Sequence, residues 1–290
     1  MTVGNPVKAA LWMLGAVVSF SSMAVAGREM ASELDTFEIM MYRSVIGVVI
    51  VLIIGGLAGT LHQISKQRFG LHLIRNLSHF TGQNLWFYAV ALIPFAQLFA
   101  FEFSTPLWVA ILAPIFLAEK LTKVRIMAAI IGFIGILIVA QPGTISVGPG
   151  IIAAALCALG FAGAYIATKL LARTESITCI MFWLTVMQLV LGIACAFYDG
   201  DVAIPSLGAM PLVVLVGVAG LLAHYCITSA LKLAPAVIVS PMDFLRLPVM
   251  AFIGATFYNE GLNIWVILGA VIIFAANFWN IWEEGRQKSS

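Results

Sequence analysis

The two halves of this chain repeat one pattern of prolines and acidic residues at an offset of 141 positions. The matched pairs are Pro94 with Pro235, Glu102 with Asp243, and Glu119 with Glu260. Each matched segment is apolar and is interrupted by further prolines, namely Pro106 and Pro114 in the first copy and Pro241 and Pro248 in the second. Interrupted helices at corresponding places in two halves indicate a binding site near the middle of a membrane.

Composition places the chain in a lipid bilayer. Hydrophobic residues make up 62% of the 290 positions and charged residues 10%, against roughly 45–50% and about 25% in soluble domains. A membrane-spanning helix needs about 20 apolar residues. Ten such spans are predicted, at 7–26, 37–57, 70–91, 95–116, 123–140, 148–168, 178–197, 210–231, 236–257 and 262–282. The long continuous apolar runs exclude a barrel of alternating strands, and the connections are too short for a separate soluble domain.

The distribution of basic residues predicts the orientation of these spans. With ten spans, one side of the membrane carries Lys8, Lys66, Arg68, Lys120, Lys123, Arg125, Lys169, Arg173, Lys232, Arg286 and Lys288, and the other side carries Arg28. Because basic loops are retained in the cytoplasm, both termini are expected there, in a bacterial inner membrane. Residues 1–27 have some features of a cleaved signal peptide, but cleavage would remove a helix from the repeat.

Five spans in each half give the second half the opposite orientation to the first. The predicted fold is therefore an all-α membrane protein of ten transmembrane helices, arranged as two inverted five-helix repeats around a central cavity. The first repeat is assigned to residues 1–143 and the second to residues 144–290.

A polar stripe on the third span is the strongest candidate for a solute-binding surface. Arg75, His79 and Gln83 recur at a spacing of four and therefore share one face of a helix. At the 141-residue offset, Gln83 corresponds to His224. We expect His79, Gln83 and His224 to bind the charged ends of a solute, although such residues can also simply hydrogen-bond across helices.

Aromatic residues near these positions are candidates for the apolar part of the site. Tyr165, Trp183 and Tyr225 are predicted to contact the body of the solute. The alternative is that they anchor their helices at the membrane interface, as Trp and Tyr commonly do.

Three ionisable residues within the spans are candidates for coupling transport to a gradient. Asp243 and Arg246 are three residues apart and are placed to form an ion pair. Glu102 has no basic residue three or four positions away, so it requires a partner from another helix or a proton. Glu119 and Glu260 lie at span ends, where we expect them to cap a helix or pair with a basic group.

No cofactor, metal site or nucleic-acid partner is expected. The four cysteines, Cys157, Cys179, Cys195 and Cys226, have no metal-ligand spacing and are interpreted as packing residues. No phosphate-binding loop of the form Gly-x4-Gly-Lys-Ser/Thr occurs, so a gradient rather than nucleotide hydrolysis must supply any energy.

The end of each half carries a short polar motif that is followed by an apolar helix. Residues 118–122, with the sequence Ala-Glu-Lys-Leu-Thr, precede a helix containing Gly132 and Gly135, and residues 259–263 form a looser second copy. Together with Arg43 and the joint at 91–94, these segments resemble the signature of the EamA-type family of the drug/metabolite transporter superfamily. The resemblance implies a ten-helix bundle with a cavity formed by spans 1–4 and 6–9. His79 beside an aromatic region is most similar to the aromatic amino-acid exporters of the YddG type.

These observations predict a secondary transporter that exports amino acids or related small metabolites by alternating access, possessing no catalytic residues. Protons are candidate coupling ions, and the chain is expected to act as a monomer or homodimer within the bilayer. The alternatives are a facilitative uniporter or channel-like carrier of other metabolites or drugs, and an intramembrane enzyme using the acids of the loop at 198–201.

Overall fold

A computed structural model describes residues 6–117, 123–141, 147–198, 200–234, 239, 242–261 and 263–287. Eleven α-helices have their bounds within these ranges: α1 Pro6–Met30, α2 Thr36–Leu57, α3 Phe69–Leu92, α4 Phe95–Glu102, α5 Thr105–Leu117, α6 Lys123–Ala140, α7 Pro149–Leu171, α8 Ile177–Ala196, α9 Met210–Leu233, α10 Arg246–Phe257 and α11 Ile264–Gln287. Short 3₁₀ turns cover Leu61–Gln63 and Asp243–Leu245. Glu119, Asp199, Pro235 and Pro241, which the sequence patterns singled out, lie outside the described residues.

Six segments of the described chain are long and apolar enough to cross a membrane, which makes this a multi-pass membrane protein. They are Val7–Met30, Thr36–Leu57, Phe95–Phe116, Pro149–Leu171, Ile177–Ala196 and Met210–Leu233. Shorter apolar helices cover Ile126–Val139, Arg246–Phe257 and Ile264–Ala276. Helix α3 is long enough, but its polar stripe lowers its hydropathy. The number of ten spans therefore remains a prediction.

The predicted interruption of the fourth span is present and separates α4 from α5. Pro106 lies in the first turn of α5, where a proline without an N–H group is tolerated. The hydroxyl group of Thr105 donates to the carbonyl oxygen of Glu102 at 2.6 Å, which satisfies a group freed by the break. In the second half, the 3₁₀ turn that begins at Asp243 precedes α10. Both breaks therefore lie at the matched acids.

The helix contacts follow the repeat. Among the described elements, α1 packs most extensively against α9, and α3 against α7. Because α1 corresponds to α7 and α3 to α9 at the 141-residue offset, these two contacts are the same contact with the halves exchanged. Helices α2 and α8, and α6 and α11, also pack together, each pair joining corresponding elements, and α4 packs against α10, the counterpart of α5.

Glycines allow α3 and α7 to approach closely at the wall of the central cavity. A Cβ atom added to Gly160 would lie 2.8 Å from the Cα atom of Gly82 and 2.9 Å from the carbonyl oxygen of Ser78. Both contacts are with backbone, which cannot rotate away as a side chain can. The small residues therefore fix the distance between these helices.

Candidate substrate-binding cavity

A central cavity lies between the two halves, with a volume of about 60 Å³ open to the centres of water-sized molecules. A cavity of this size holds several water molecules. Seven residues that the sequence indicated line it: His79, Gln83, Glu102, Tyr165, His224, Asp243 and Arg246. Its wall also includes Phe20, Arg75, Trp86, Thr168 and Thr228. Helices α1, α3, α7 and α9 and both helix breaks thus contribute to one site.

A buried cluster of two acids and one arginine forms one end of the cavity. Arg246 donates to the Oε1 atom of Glu102 at 2.7 Å and also forms an ion pair with Asp243. The indole nitrogen of Trp86 donates to the other carboxylate oxygen of Glu102 at 2.6 Å. The predicted Asp243–Arg246 ion pair is therefore present. Arg246 is also the partner from another helix that Glu102 requires. With both acids ionised, the cluster carries one more negative than positive charge.

The other end of the cavity is positively charged. Arg75 is 2% exposed and donates to the Thr168 hydroxyl group at 3.2 Å and to the Asn76 side-chain oxygen at 2.9 Å. Arg43 is also buried, contacts the sulfur atom of Met40, and repels Arg75 electrostatically. Within the described parts of the chain, neither arginine forms a salt bridge. Two buried cations without a paired carboxylate favour an anionic group nearby.

Two histidines lie between these ends. The rings of His79 and His224 meet edge to face with their centroids 4.5 Å apart. Arg75 and Trp86 are eleven positions apart on α3, which corresponds to about 16 Å along a helix axis. Because Trp86 contacts the acidic cluster, the two charged ends lie at different levels of the cavity.

Several polar atoms that line the cavity lack a partner among the described residues. They are His79 Nδ1, Gln83 Nε2, His224 Nε2, Thr228 Oγ1, Asp243 Oδ1 and Arg246 Nε. Buried polar groups are normally hydrogen-bonded, and leaving one unpaired costs about 1–3 kcal/mol. This concentration of unpaired donors and acceptors indicates that the cavity accommodates water or a polar solute.

Trp183 and Tyr225, which were predicted to contact solute, are absent from the described cavity lining. The indole nitrogen of Trp183 donates to the Ser65 carbonyl oxygen at 2.8 Å, and its ring packs against Phe69. Tyr225 is 40% exposed and packs edge to face against Trp12. Helical periodicity explains Tyr225, since it follows His224 directly and therefore points about 100° away from it.

Arg75, Trp86 and Thr228 also line the cavity, although none of them was predicted to bind the charged ends or the body of the solute. The spacing of four between Arg75, His79 and Gln83 placed Arg75 on the polar face. Thr228 is four residues after His224 on α9. The same periodicity would have identified it.

A basic side chain at the end of α1 joins the two halves. Arg28 donates to the carbonyl oxygens of Val90 at 2.7 Å and Ile93 at 2.5 Å, at the end of α3, and forms an ion pair with Glu260. Glu260 also accepts from the backbone N–H group of Phe95 at 2.9 Å. The prediction that Glu260 pairs with a basic group is therefore confirmed. We call Arg28 with its partners the Arg28 clamp.

A corresponding set of contacts occurs at the end of α7. Lys169 donates to the carbonyl oxygens of Leu231 at 2.8 Å and Ala234 at 3.2 Å, at the end of α9. Lys169, Leu231 and Ala234 each follow their counterpart in the Arg28 clamp by 141 positions. We call this the Lys169 clamp. The same contact is thus made twice, once in each half.

Comparison with known proteins assigns the chain to a family of transporters. The profile of the EamA-like transporter family matches twice, at residues 7–141 and 148–282. The chain is 27% identical to an S-adenosylmethionine uptake transporter of Rickettsia bellii, covering 96% of this chain and 94% of that protein. It is 31% identical to a riboflavin transporter of Brucella anthropi, covering 74% and 78%.

Two further comparisons extend this result. A pseudopaline exporter of Pseudomonas aeruginosa is 26% identical, with 89% of this chain and 90% of that protein covered. A protein of known crystal structure superposes with a TM-score of 0.70 over 95% of this chain and 96% of its own, at 18% identity, and therefore shares the fold. Two matches to one family profile cover nearly the whole sequence, and this chain belongs to the EamA-like transporter family, as a membrane transporter of small molecules.

Proposed function

We propose that the protein is a secondary transporter of the bacterial inner membrane that exports amino acids or related small metabolites through the central cavity. The observation that carries this proposal is the group of unpaired polar atoms in the cavity wall, contributed by both halves. A structural core would pair or exclude such atoms. A solute that enters with its own donors and acceptors would satisfy them.

The charges of the cavity favour a solute with separated positive and negative groups. The cation-rich end at Arg75 suits a carboxylate, and the end at Glu102 and Asp243 suits an amino group or another cation. Amino acids carry both groups, and so does the S-adenosylmethionine named for the Rickettsia relative. The spacing of these ends along α3 favours an extended solute over glycine.

Alternating access is supported by the two clamps. The distribution of basic loops predicts that Arg28 lies on the extracellular side and Lys169 on the cytoplasmic side. Each clamp would then hold helix ends together at one end of the cavity. Inverted repeats in transporters exchange conformations, so that one half adopts the arrangement of the other and access alternates. Opening one clamp while the other stays formed would expose the cavity to one side at a time.

The relatives include proteins named for uptake and for export. Export is favoured here by the resemblance of the region around His79 to aromatic amino-acid exporters. The family and these relatives support transport over the enzyme alternative.

Solute identity and the role of the cavity can be tested together. The purified protein would be screened for thermal stabilisation by amino acids, S-adenosylmethionine and riboflavin, and the stabilising solute would then be measured in proteoliposome transport. We expect His79→Ala to abolish binding and transport, whereas Tyr225→Phe, away from the cavity, should preserve both. Transport that survives His79→Ala unchanged would assign His79 to helix packing.

A facilitative uniporter is the second candidate. It is favoured because Arg246 already gives both Glu102 and Asp243 an ion-pair partner within the protein, so that neither acid requires a proton. The same proteoliposomes with and without an imposed pH gradient distinguish it from a proton-coupled transporter. If Glu102 or Asp243 carries the proton, Glu102→Gln or Asp243→Asn should abolish accumulation while allowing downhill flow. Accumulation that persists in both variants would favour another coupling ion, and no accumulation in the natural chain would favour the uniporter.

A further inference from the structure

A second cluster of polar side chains lies away from the transport cavity, at the basic end of the bundle. His72 is in the first turn of α3, Glu175 is in the connection between α7 and α8, and Cys179 is in the first turn of α8. One nitrogen, oxygen or sulfur atom from each of the three lies within 4.8 Å of the others. All three residues are buried, and His72 is fully inaccessible.

Polar groups of His72 and Glu175 are only partly paired in the described structure, whereas the Cys179 sulfur contacts both the backbone N–H group and the carbonyl oxygen of Ser65. The Nδ1 atom of His72 has no hydrogen-bond partner in the described structure. Glu175 is 7% exposed and forms no salt bridge with any described residue. A buried carboxylate without a cation is costly. The unpaired carboxylate therefore favours a positive ion beside it, and an imidazole can bind such an ion through either ring nitrogen.

The geometry suits zinc chemistry. In tetrahedral sites, zinc–sulfur and zinc–nitrogen bonds of about 2.3 and 2.0–2.1 Å place the two ligand atoms roughly 3.6 Å apart. The Cys179 sulfur and the His72 Nε2 atom are 3.9 Å apart. The backbone N–H group of Ser65 lies 3.4 Å from the same sulfur and donates to it.

We propose that His72, Glu175 and Cys179 form a binding site for a divalent cation of the zinc class. Cys, His and Glu are all established zinc ligands, and three protein ligands leave a fourth position for water. On binding, the thiol proton of Cys179 passes to solvent and the sulfur–metal bond forms. His72 belongs to the first half of the chain and the other two ligands to the second, so a bound ion would join α3 to α8.

Spacing in the sequence could not reveal this site. The three ligands are separated by 103 and 4 positions, and no paired Cys or His motif surrounds them. The expectation that Cys179 serves only in packing therefore gives way to this proposal. The remaining cysteines, Cys157, Cys195 and Cys226, do not belong to this His/Cys/Asp/Glu cluster in the described structure.

The test uses the full chain, purified in detergent with its affinity tag removed and treated with a chelator. Titration with Co²⁺ should produce a thiolate charge-transfer absorption that saturates at one ion per chain and disappears on addition of Zn²⁺. Cys179→Ser should abolish the absorption. His72→Ala and Glu175→Gln should each weaken binding by more than about tenfold, since even outer-shell partners change metal affinity by that factor.

Two matched controls come from the same chain. Cys195→Ser removes a less buried thiol from the other end of α8, and His62→Ala removes a histidine from the preceding turn; both variants should bind Co²⁺ as the natural chain does. Glu175→Gln and Cys179→Ser keep the side-chain size, and elution as a single peak on size exclusion verifies their folding. Absence of the absorption in the natural chain, or its persistence in Cys179→Ser, would overturn the proposal. Neither result depends on transport activity.

Discussion

At the residue scale, Arg246 determines whether the acidic end of the cavity is stable. It is the described cation that pairs with both Glu102 and Asp243, and all three are buried. Removing one partner of a buried charge cluster leaves the rest uncompensated, which costs about 3–5 kcal/mol. We expect Arg246→Gln to lower the thermal unfolding midpoint sharply. The exposed Arg173→Gln is the control, and equal midpoints for the two variants would contradict the interpretation.

The two tryptophans Trp86 and Trp183 provide a second test at this scale. Trp86 lines the cavity and donates to Glu102, whereas Trp183 donates to Ser65 outside it. Trp86→Phe should weaken solute binding, because Glu102 loses a hydrogen bond of the charge-assisted kind, worth about 1.5–3 kcal/mol. Trp183→Phe should leave affinity unchanged in the same thermal-shift titration. The reverse order of effects would support the prediction that Trp183 contacts solute.

At the element scale, the close approach of α3 and α7 depends on Gly160. Gly160→Ala introduces a methyl group 2.8 Å from the backbone of Gly82, and overpacking of this kind costs about 1–3 kcal/mol. We expect a lower unfolding midpoint and weaker solute binding, since both helices line the cavity. Gly70→Ala, with nothing within 4 Å of the added atom, is the control on α3. An unchanged unfolding midpoint and unchanged solute binding in Gly160→Ala would mean that these helices are further apart.

Removal of the Arg28 clamp and removal of the Lys169 clamp should open the cavity to opposite sides of the membrane. Arg28→Gln should increase access to the cavity from the extracellular side, and Lys169→Gln from the cytoplasmic side. Loss of about 1.4 kcal/mol from one closed end would change the population of open states about tenfold. Labelling of a cysteine in the cavity by a membrane-impermeant reagent, added to either side, measures this. If both variants increase labelling from the same side, the two clamps do not close opposite ends of the cavity.

Some contacts could be predicted from the sequence because their cause is local. The spacing of Asp243 and Arg246 predicted their ion pair, and the prolines after Glu102 predicted the break before α5. The spacing of four on α3 predicted that Arg75, His79 and Gln83 lie on one face. By contrast, the approach of α3 to α7 and the grouping of His72 with Glu175 depend on tertiary packing. No local pattern encodes those contacts.

At the scale of the whole molecule, we propose that the two halves enclose a cavity that opens alternately to either side of the membrane. The α1–α9 and α3–α7 contacts are equivalent under the repeat, and each half contributes one clamp. Both observations support the proposal. Ala164 lines the cavity on α7 and is small enough to replace with cysteine without filling it. A lipid-facing control is available at Val18 on α1, which is 67% exposed.

The most direct measurement is the labelling of Ala164→Cys in a chain whose four natural cysteines are replaced, using a membrane-impermeant thiol reagent on oriented vesicles. Alternating access predicts reaction from the cytoplasmic side and from the extracellular side, with solute protecting the cysteine in both experiments. Val18→Cys should react from neither side. Reaction of Ala164→Cys from one side only, under all conditions that support transport, would contradict an alternating cavity.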